Sequence, residues 1–253
     1  MAYISLKDAT VEFPLYTGGS RSLKKQLLRV GTRRKTISTR DDRVIVRALD
    51  NVTLDLVSGD RGGLVGHNGA GKTTILRVLA GIYEPVQGSF MIEGRVCSLL
   101  NVGLGLDPDV SGYENIILQG MYLGYRPSEM RDKIDEIAAF TELESFLSMP
   151  VRTYSSGMSL RLAFAVATAV RPEILLMDEW VLAGDGRFME KARRRIEEFT
   201  ENAEILVLAS HSMEILRQWC DRILWLDGGK IKMDGPTEEV LALYEASMAA
   251  QQD

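Results

Sequence analysis

In 253 residues there are only two cysteines, Cys97 and Cys220, and two histidines, His67 and His211. Two cysteines so far apart exclude a disulfide framework and suit a reducing compartment. Long apolar runs are missing too. No stretch approaches the roughly 20 residues that span a bilayer, so this chain does not cross a membrane alone, although it can dock on something that does. The N-terminus, "MAYISLKDATVEF", has no basic region followed by an apolar run, which excludes a signal peptide. Nor is there a surplus of positive charge. A formal net charge of -5 speaks against a nucleic-acid binder. Internal repeats and low-complexity tracts are absent. The rest is ordinary for a soluble globular protein, with 45% hydrophobic and 26% charged residues and length enough for one large core or a core with a smaller lobe.

The apolar pattern predicts an α/β chain. "YISLKDATVEF" alternates loosely and reads as a first strand ending near Pro14. Within 18–42, "SLKKQLLRV" suits a short amphipathic helix, and the basic "TRRKTISTR" reads as a loop. "VIVRALDNVTLDLVSGD" gives two strand-like pieces, and "GSFMIEGRVCSLLNV" more short strands. A mostly helical stretch follows over about 111–170. "SGYENIILQGMYLG" and "PSEMRDKIDEIAAFTEL" each offer a serine as cap near the start. "EILLMDEW" and "AEILVLASH" are continuous apolar strands of the buried type. "RFMEKARRRIEEFTEN" and "SMEILRQWC" are helices, "RILWLDGGKIKMDG" is a hairpin turning at "DGG", and a last helix over 236–248 opens with Pro236, Glu238 and Glu239.

The sharpest motif is "GHNGAGKTT", residues 66–74, which fits G-x-x-x-x-G-K-[ST] between a strand and a helix. Gly66, Gly69 and Gly71 let the backbone close around phosphates where a Cβ would crowd. Asn68, Ala70 and Thr74 belong to the same loop, whose amides and helix N-terminus favour an anion. Lys72 reaches β- and γ-phosphates, and the Thr73 hydroxyl is a Mg²⁺ ligand candidate. A bare glycine turn would leave these side chains without purpose. "ILLMDEW" delivers Asp178 to a strand end, where an acid holds Mg²⁺, and Glu179 next to it can deprotonate an attacking water. An Asp-Glu pair after a strand also serves as a helix cap, a reading weakened by the phosphate loop upstream. His211 ends a second buried strand at the sheet edge where ligands collect, and it suits either a γ-phosphate contact or a structural role. His67, at a variable loop position, is given no chemistry.

Lys72, Asp178, Glu179 and His211, with "YSSGM" ahead of the aspartate, resemble the ATP-binding-cassette ATPases over about 3–243. The resemblance implies a P-loop core over 1–100 and 171–248, an N-terminal antiparallel β-subdomain, and a helical subdomain inserted over about 101–170. It implies ATP and Mg²⁺ as ligands. It places Ser155, Ser156 and Gly157 in a signature turn that covers the γ-phosphate of a partner's ATP, so that two chains head to tail make two composite sites. Ser156 stands where the family usually has glycine, and Met158 where it often has glutamine. Asp185 falls at the family's D-loop. The family's glutamine before the helical subdomain is missing, and Asn101 is the nearest polar candidate for its place beside the metal. Phe13 and Tyr16 are candidates for the aromatic that stacks on adenine.

Within that family, "YSSGM", "LLMDEWVLAGD" with "FMEKA", and "LLNVGLGLDPDVSGYENI" resemble subunits that export bacterial surface polysaccharide: O-antigen, capsule or teichoic acid. The resemblance implies a peripheral homodimer on the cytoplasmic face of the inner membrane. Two copies of an integral-membrane permease and a lipid-linked glycan would be its partners, with a coupling contact near 101–125 and a membrane-proximal gate helix in 18–42. Some members carry a C-terminal glycan-binding β-sandwich, and none is expected here. The competing reading is a soluble cassette acting on DNA or ribosomes. It lacks its usual coiled coil or second cassette, and the net charge is negative. A P-loop kinase or GTPase would lack the N-K-x-D motif and leave "YSSGM" unexplained. Gly62 and Gly63 at the start of the loop's feeding strand cost packing and entropy, and the sequence offers no reason for Gly63.

Overall fold

The computed structural model describes residues 1–15, 37–40, 43–100, 105–179 and 186–250. In chain order the strands are β1 Tyr3–Leu15, β2 Ile37–Arg40, β3 Arg43–Val57, β4 Arg61–Val65, β5 Gln87–Glu93, β6 Val96–Ser98, β7 Ile174–Asp178, β8 Ile205–Ala209, β9 Arg222–Asp227 and β10 Lys230–Pro236. The helices are α1 Lys72–Leu79, α2 Gly112–Tyr122, α3 Pro127–Arg131, α4 Ile134–Thr141, α5 Ser156–Ala167, α6 Gly186–Glu201, α7 Met213–Trp219 and α8 Thr237–Ala249. The chain divides into two compact units, Met1–Gly94 with Ile205–Asp253, and Arg95–Glu204.

The first unit holds an antiparallel sheet in the order β2-β3-β1-β5. β1 pairs with β5 only from Tyr3 to Thr10, whereas it follows β3 as far as Leu15. Pro14, which cannot donate to a ladder, therefore lies where β1 has left β5 behind, and the strand runs past it. β3 is one strand of 15 residues, not the two pieces expected. Its polar "DN" is absorbed by a bulge, with Asn51 at φ 56 and the β1 register shifting opposite it. The basic "TRRKTISTR" is not all loop, because Ile37–Arg40 forms β2 and pairs antiparallel with β3. The rest of the proposed gate segment lies outside the described residues.

The same unit carries four strands in the order β10-β9-β4-β8, in which β4 is parallel to both β8 and β9. β8 is buried throughout, in keeping with its unbroken apolar sequence. The β9–β10 hairpin turns on Gly228 and Gly229, at φ 59 and 84, the two positive values a tight two-residue turn demands.

In the second unit β6 and β7 run parallel, Cys97 beside Leu175. α2 starts with a full capping box. Ser111 accepts from the Glu114 amide, and Glu114 accepts from the Ser111 amide. The second expected cap, Ser128, does not serve. Pro127 takes the first helical position, Arg126 is the N-cap residue, and the helix breaks after Arg131 before resuming as α4. Proline's preset φ fixes the start at itself and pushes the serine one place inside. Phe140, Phe164 and Phe188 form the aromatic centre that joins α4, α5 and α6. Among the described residues no helix is long and apolar enough to cross a membrane.

Candidate functional site

The phosphate loop grows out of β4. Leu64 pairs with Ala209 and Val65 with Trp225, so the C-terminal ends of β4, β8 and β9 lie at one sheet edge. That edge carries the loop, His211 and the hairpin turn together, where parallel sheets bind ligands. Gly66, Gly69 and Gly71 have φ of 148, 80 and 118. A Cβ on Gly66 would collide with the Leu226 carbonyl, and one on Gly71 would lie 3.0 Å from Leu49 Cδ2 and 3.1 Å from the Ala48 carbonyl. Two of these glycines are thus required by the protein's own packing as well as by a phosphate. Gly71 caps α1 in a left-handed conformation, and Lys72 is the first helical residue. Lys72 is buried, and its Nζ donates to the Gly66 carbonyl at 2.7 Å, which holds the ammonium across the loop. Thr73 and Thr74 follow on the first turn, half-buried. The exposed Asn68 and Gly69 form the loop's tip.

His67, which the sequence left without a role, contacts Asp227: its Nε2 is 3.2 Å from Asp227 Oδ1. The Gly229 amide donates to the Ala70 carbonyl at 2.9 Å. "DGG" read only as a turn in the sequence, and only the fold brings it to the loop. His211 is exposed two residues beyond β8, before Ser212 caps α7. Phe13 packs edge-to-face on Tyr83 with ring centroids 5.1 Å apart, and the Tyr83 hydroxyl accepts from Arg77 Nη1 at 2.9 Å. The other adenine candidate, Tyr16, lies outside the described residues.

Gly63 also finds its reason here. A Cβ would collide with Ile223 Cδ1 and lie 2.8 Å from Leu216 Cδ2 and 3.2 Å from Cys220 Sγ. Side chains of β9 and α7 close on β4 at this point, and any Cβ would force Ile223 and Leu216 to shift.

The acid pair belongs to the second unit. Asp178 ends β7 half-buried, behind four buried apolar residues. Glu179 is exposed and sits at φ 56, a left-handed conformation that costs a side-chain-bearing residue about 1–2 kcal/mol. The left-handed residue ends the extended run of β7 directly after Asp178. Asn101 and Asp185 lie outside the described residues.

The signature turn is built with care. Ser155 is the exposed N-cap of α5, and its Oγ accepts from the Met158 amide at 3.2 Å. Ser156 and Gly157 follow in the first turn. Upstream, Val151–Thr153 forms a 3-10 turn pinned by Val151 N–H to the Val110 carbonyl and Arg152 N–H to the Pro108 carbonyl. Tyr154 is buried, and its hydroxyl donates to the Phe146 carbonyl at 2.8 Å. It lies against Gly112, where any Cβ would collide with it. Gly157 differs from the glycines above. It has no positive φ, and a Cβ there would meet only Ser155 Oγ at 3.9 Å. Packing among the described residues therefore does not demand a glycine at that helix start.

A glycine loop at the end of a parallel strand, with a buried lysine across it and a helix running from it, defines a P-loop nucleoside-triphosphatase. Residues 49–182 match the family described as ABC transporter. The chain belongs to that family, as an ATP-hydrolysing subunit. It is 46% identical over 231 residues to the O-antigen export system ATP-binding protein RfbE of Yersinia enterocolitica, across 91% of this chain and 97% of that protein. It is 41% identical to the O-antigen export system ATP-binding protein RfbB of Myxococcus xanthus across 98% of this chain, and spans 57% of that relative's length. Among solved structures, the dimeric post-hydrolysis ATP-binding cassette MJ0796 bound to ADP and Pi shares the fold. The TM-score is 0.64 at 22% identity, covering 92% of this chain and 98% of that one.

Proposed function

We propose that this chain powers the export of a lipid-linked surface polysaccharide, of O-antigen, capsular or teichoic-acid type. It works as a homodimer on the cytoplasmic face of a bacterial inner membrane, beneath two copies of an integral-membrane permease. The observation that carries this reading is the similarity to an O-antigen export protein over nearly the full length of both chains. The exposed apolar side of α2 is consistent with a permease partner. Tyr113, Leu118, Met121 and Tyr122 are all exposed there, on a helix that follows directly on 101–110. A cytoplasmic segment of the permease is the occupant that reading assigns to it.

The residues present suit ATP and Mg²⁺. The loop's three glycines take φ of 148, 80 and 118, a backbone open to glycine that suits a tight loop around phosphates, and Thr73 and Asp178 are oxygen donors of the kind Mg²⁺ takes. Bound Mg²⁺ would neutralise charge on the β- and γ-phosphate oxygens. Lys72 would neutralise the same phosphates once its ammonium exchanges the Gly66 carbonyl for them. Glu179, directly after the end of β7, would accept a proton from the attacking water. His211 would hold the γ-phosphate from the sheet edge it shares with the loop. Ser155 and the bare amides around Gly157 would close over the nucleotide of a second copy. Hydrolysis would release that contact, and the opening of the dimer would move the permease.

The test is co-purification with the integral-membrane subunit from the same operon, followed by ATPase measurement with lipid-linked glycan. A stable complex whose turnover rises with the glycan is expected. Absence of any complex would overturn the reading.

A further inference from the structure

The segment from β9 to α8 touches the phosphate loop at three of the loop's residues, Gly66, His67 and Ala70. Gly66 lies against the Leu226 carbonyl, with which any Cβ there would collide. Tyr244 is 5% exposed, and its ring packs edge-to-face on Trp225 at 5.3 Å, the residue paired with Val65 just before the loop. His67 contacts Asp227, and the Ala70 carbonyl accepts from the Gly229 amide. The turn is fixed from its other side. The Asp50 amide donates to the Gly229 carbonyl at 2.9 Å, and Lys230 Nζ is 3.1 Å from Asp50 Oδ2. Arg47 extends this chain of contacts, at 3.0 Å from Asp50 and 2.9 Å from Glu12.

A phosphate loop gathers N–H dipoles that point the same way, an arrangement favourable only toward an anion. Something must hold it in that shape from behind. From this geometry we infer that Tyr244 and Asp227 are positioning residues, and that the C-terminal hairpin and helix clamp the phosphate loop and set its affinity for nucleotide. Neither side chain belongs to the groups assigned to ATP or to the attacking water. Their effect is preorganisation, because a loop already ordered loses less freedom when it binds. Removing one contact from the clamp weakens binding about two- to tenfold. Turnover at saturation stays near its original value, because saturating ligand restores the loop.

The inference rests on nucleotide binding at this loop, and its test separates the two. Mg²⁺ and mant-ATP are titrated against the full chain, with steady-state ATPase kinetics and thermal melting alongside. Tyr244→Leu stays apolar and removes the ring that packs on Trp225. Asp227→Ala removes the contact to His67 and guards against a folding failure of the first variant. Glu245→Ala, on the same helix and paired with Arg217 on the surface, is the control. Both clamp variants are expected to raise Kd and KM about two- to tenfold, with kcat little changed and Glu245→Ala without effect. Unaltered Kd in both, with any loss confined to melting temperature, overturns the clamp, as does an equal shift in Glu245→Ala. Failure of the unaltered chain to bind mant-ATP overturns the nucleotide reading itself.

Discussion

Gly63→Ala adds one methyl group where β4, β9 and α7 meet. The new Cβ would overlap Ile223 Cδ1, with Leu216 Cδ2 at 2.8 Å and Cys220 Sγ at 3.2 Å. β4 has no room to slide aside, since Gly63 is paired with Leu208 on one side and Ile223 on the other. Overpacking of this kind costs about 1–3 kcal/mol. Replacing glycine returns about 0.5–1 kcal/mol through lower unfolded-state entropy. The net expectation is a loss of up to about 2.5 kcal/mol, read as a lower urea midpoint with unchanged slope. The structure also names the compensating change. Ile223→Val deletes the offending Cδ1, so in the Gly63→Ala background it should recover stability, although alone it costs about 0.5–1.5 kcal/mol. Nucleotide affinity is expected to follow, because Gly66 lies three residues downstream, where β4 passes into the phosphate loop. Equal or greater stability of Gly63→Ala, or strict additivity of the two substitutions, would refute the packing explanation.

Other predictions concern the two halves of the proposed site. Glu179→Gln should lower ATP turnover at least ~100-fold while mant-ATP still binds, measured by phosphate release and fluorescence titration. Ser155→Ala should impair hydrolysis and also cost α5 its cap, about 1 kcal/mol, whereas Ser155→Asp keeps a cap and loses hydrolysis alone. The contrast in melting temperature and turnover checks both. Acid should destabilise the first unit in a defined way. Burial pushes Asp50 up, but its bonds and charges with Lys230 and Arg47 outweigh this and hold it below the usual range. The Ser5 hydrogen bond, with Tyr3, holds Asp55 down. Both are lowered in the fold, so their contribution is complete above the ordinary aspartate value near 3.9 and fades as pH falls through the folded values. The urea midpoint should therefore drop below about pH 4, and less so in Asp50→Asn.

What the sequence made legible was local chemistry. The phosphate loop, the buried strands before Asp178 and His211, the Ser111 cap and the two-glycine hairpin are each specified within a few residues. What it hid depended on neighbours distant in sequence. Gly63 looks like a weak strand residue until Ile223 and Leu216 arrive beside it. β3 looks broken at Asp50–Asn51 because a bulge at an αL asparagine leaves no signal different from a turn. Ile37–Arg40 looks like basic loop until the edge of β3 claims it, and Pro127 displaces Ser128 as the helix start. His67 and Tyr244 carry no motif at all. Their relation to the loop exists only because β9 lies beside β4 and α8 returns across it.

ATP-driven export of a lipid-linked glycan, the proposed function, is measured most directly as translocation. The chain and its permease are reconstituted in proteoliposomes with labelled lipid-linked glycan on the ATPase side, and protection of the glycan inside the vesicle is followed. ATP should drive accumulation in the lumen, and Glu179→Gln should abolish it without dissociating the complex. Glycan movement that proceeds equally without ATP, or an intact complex that hydrolyses ATP and moves no glycan, would contradict the account.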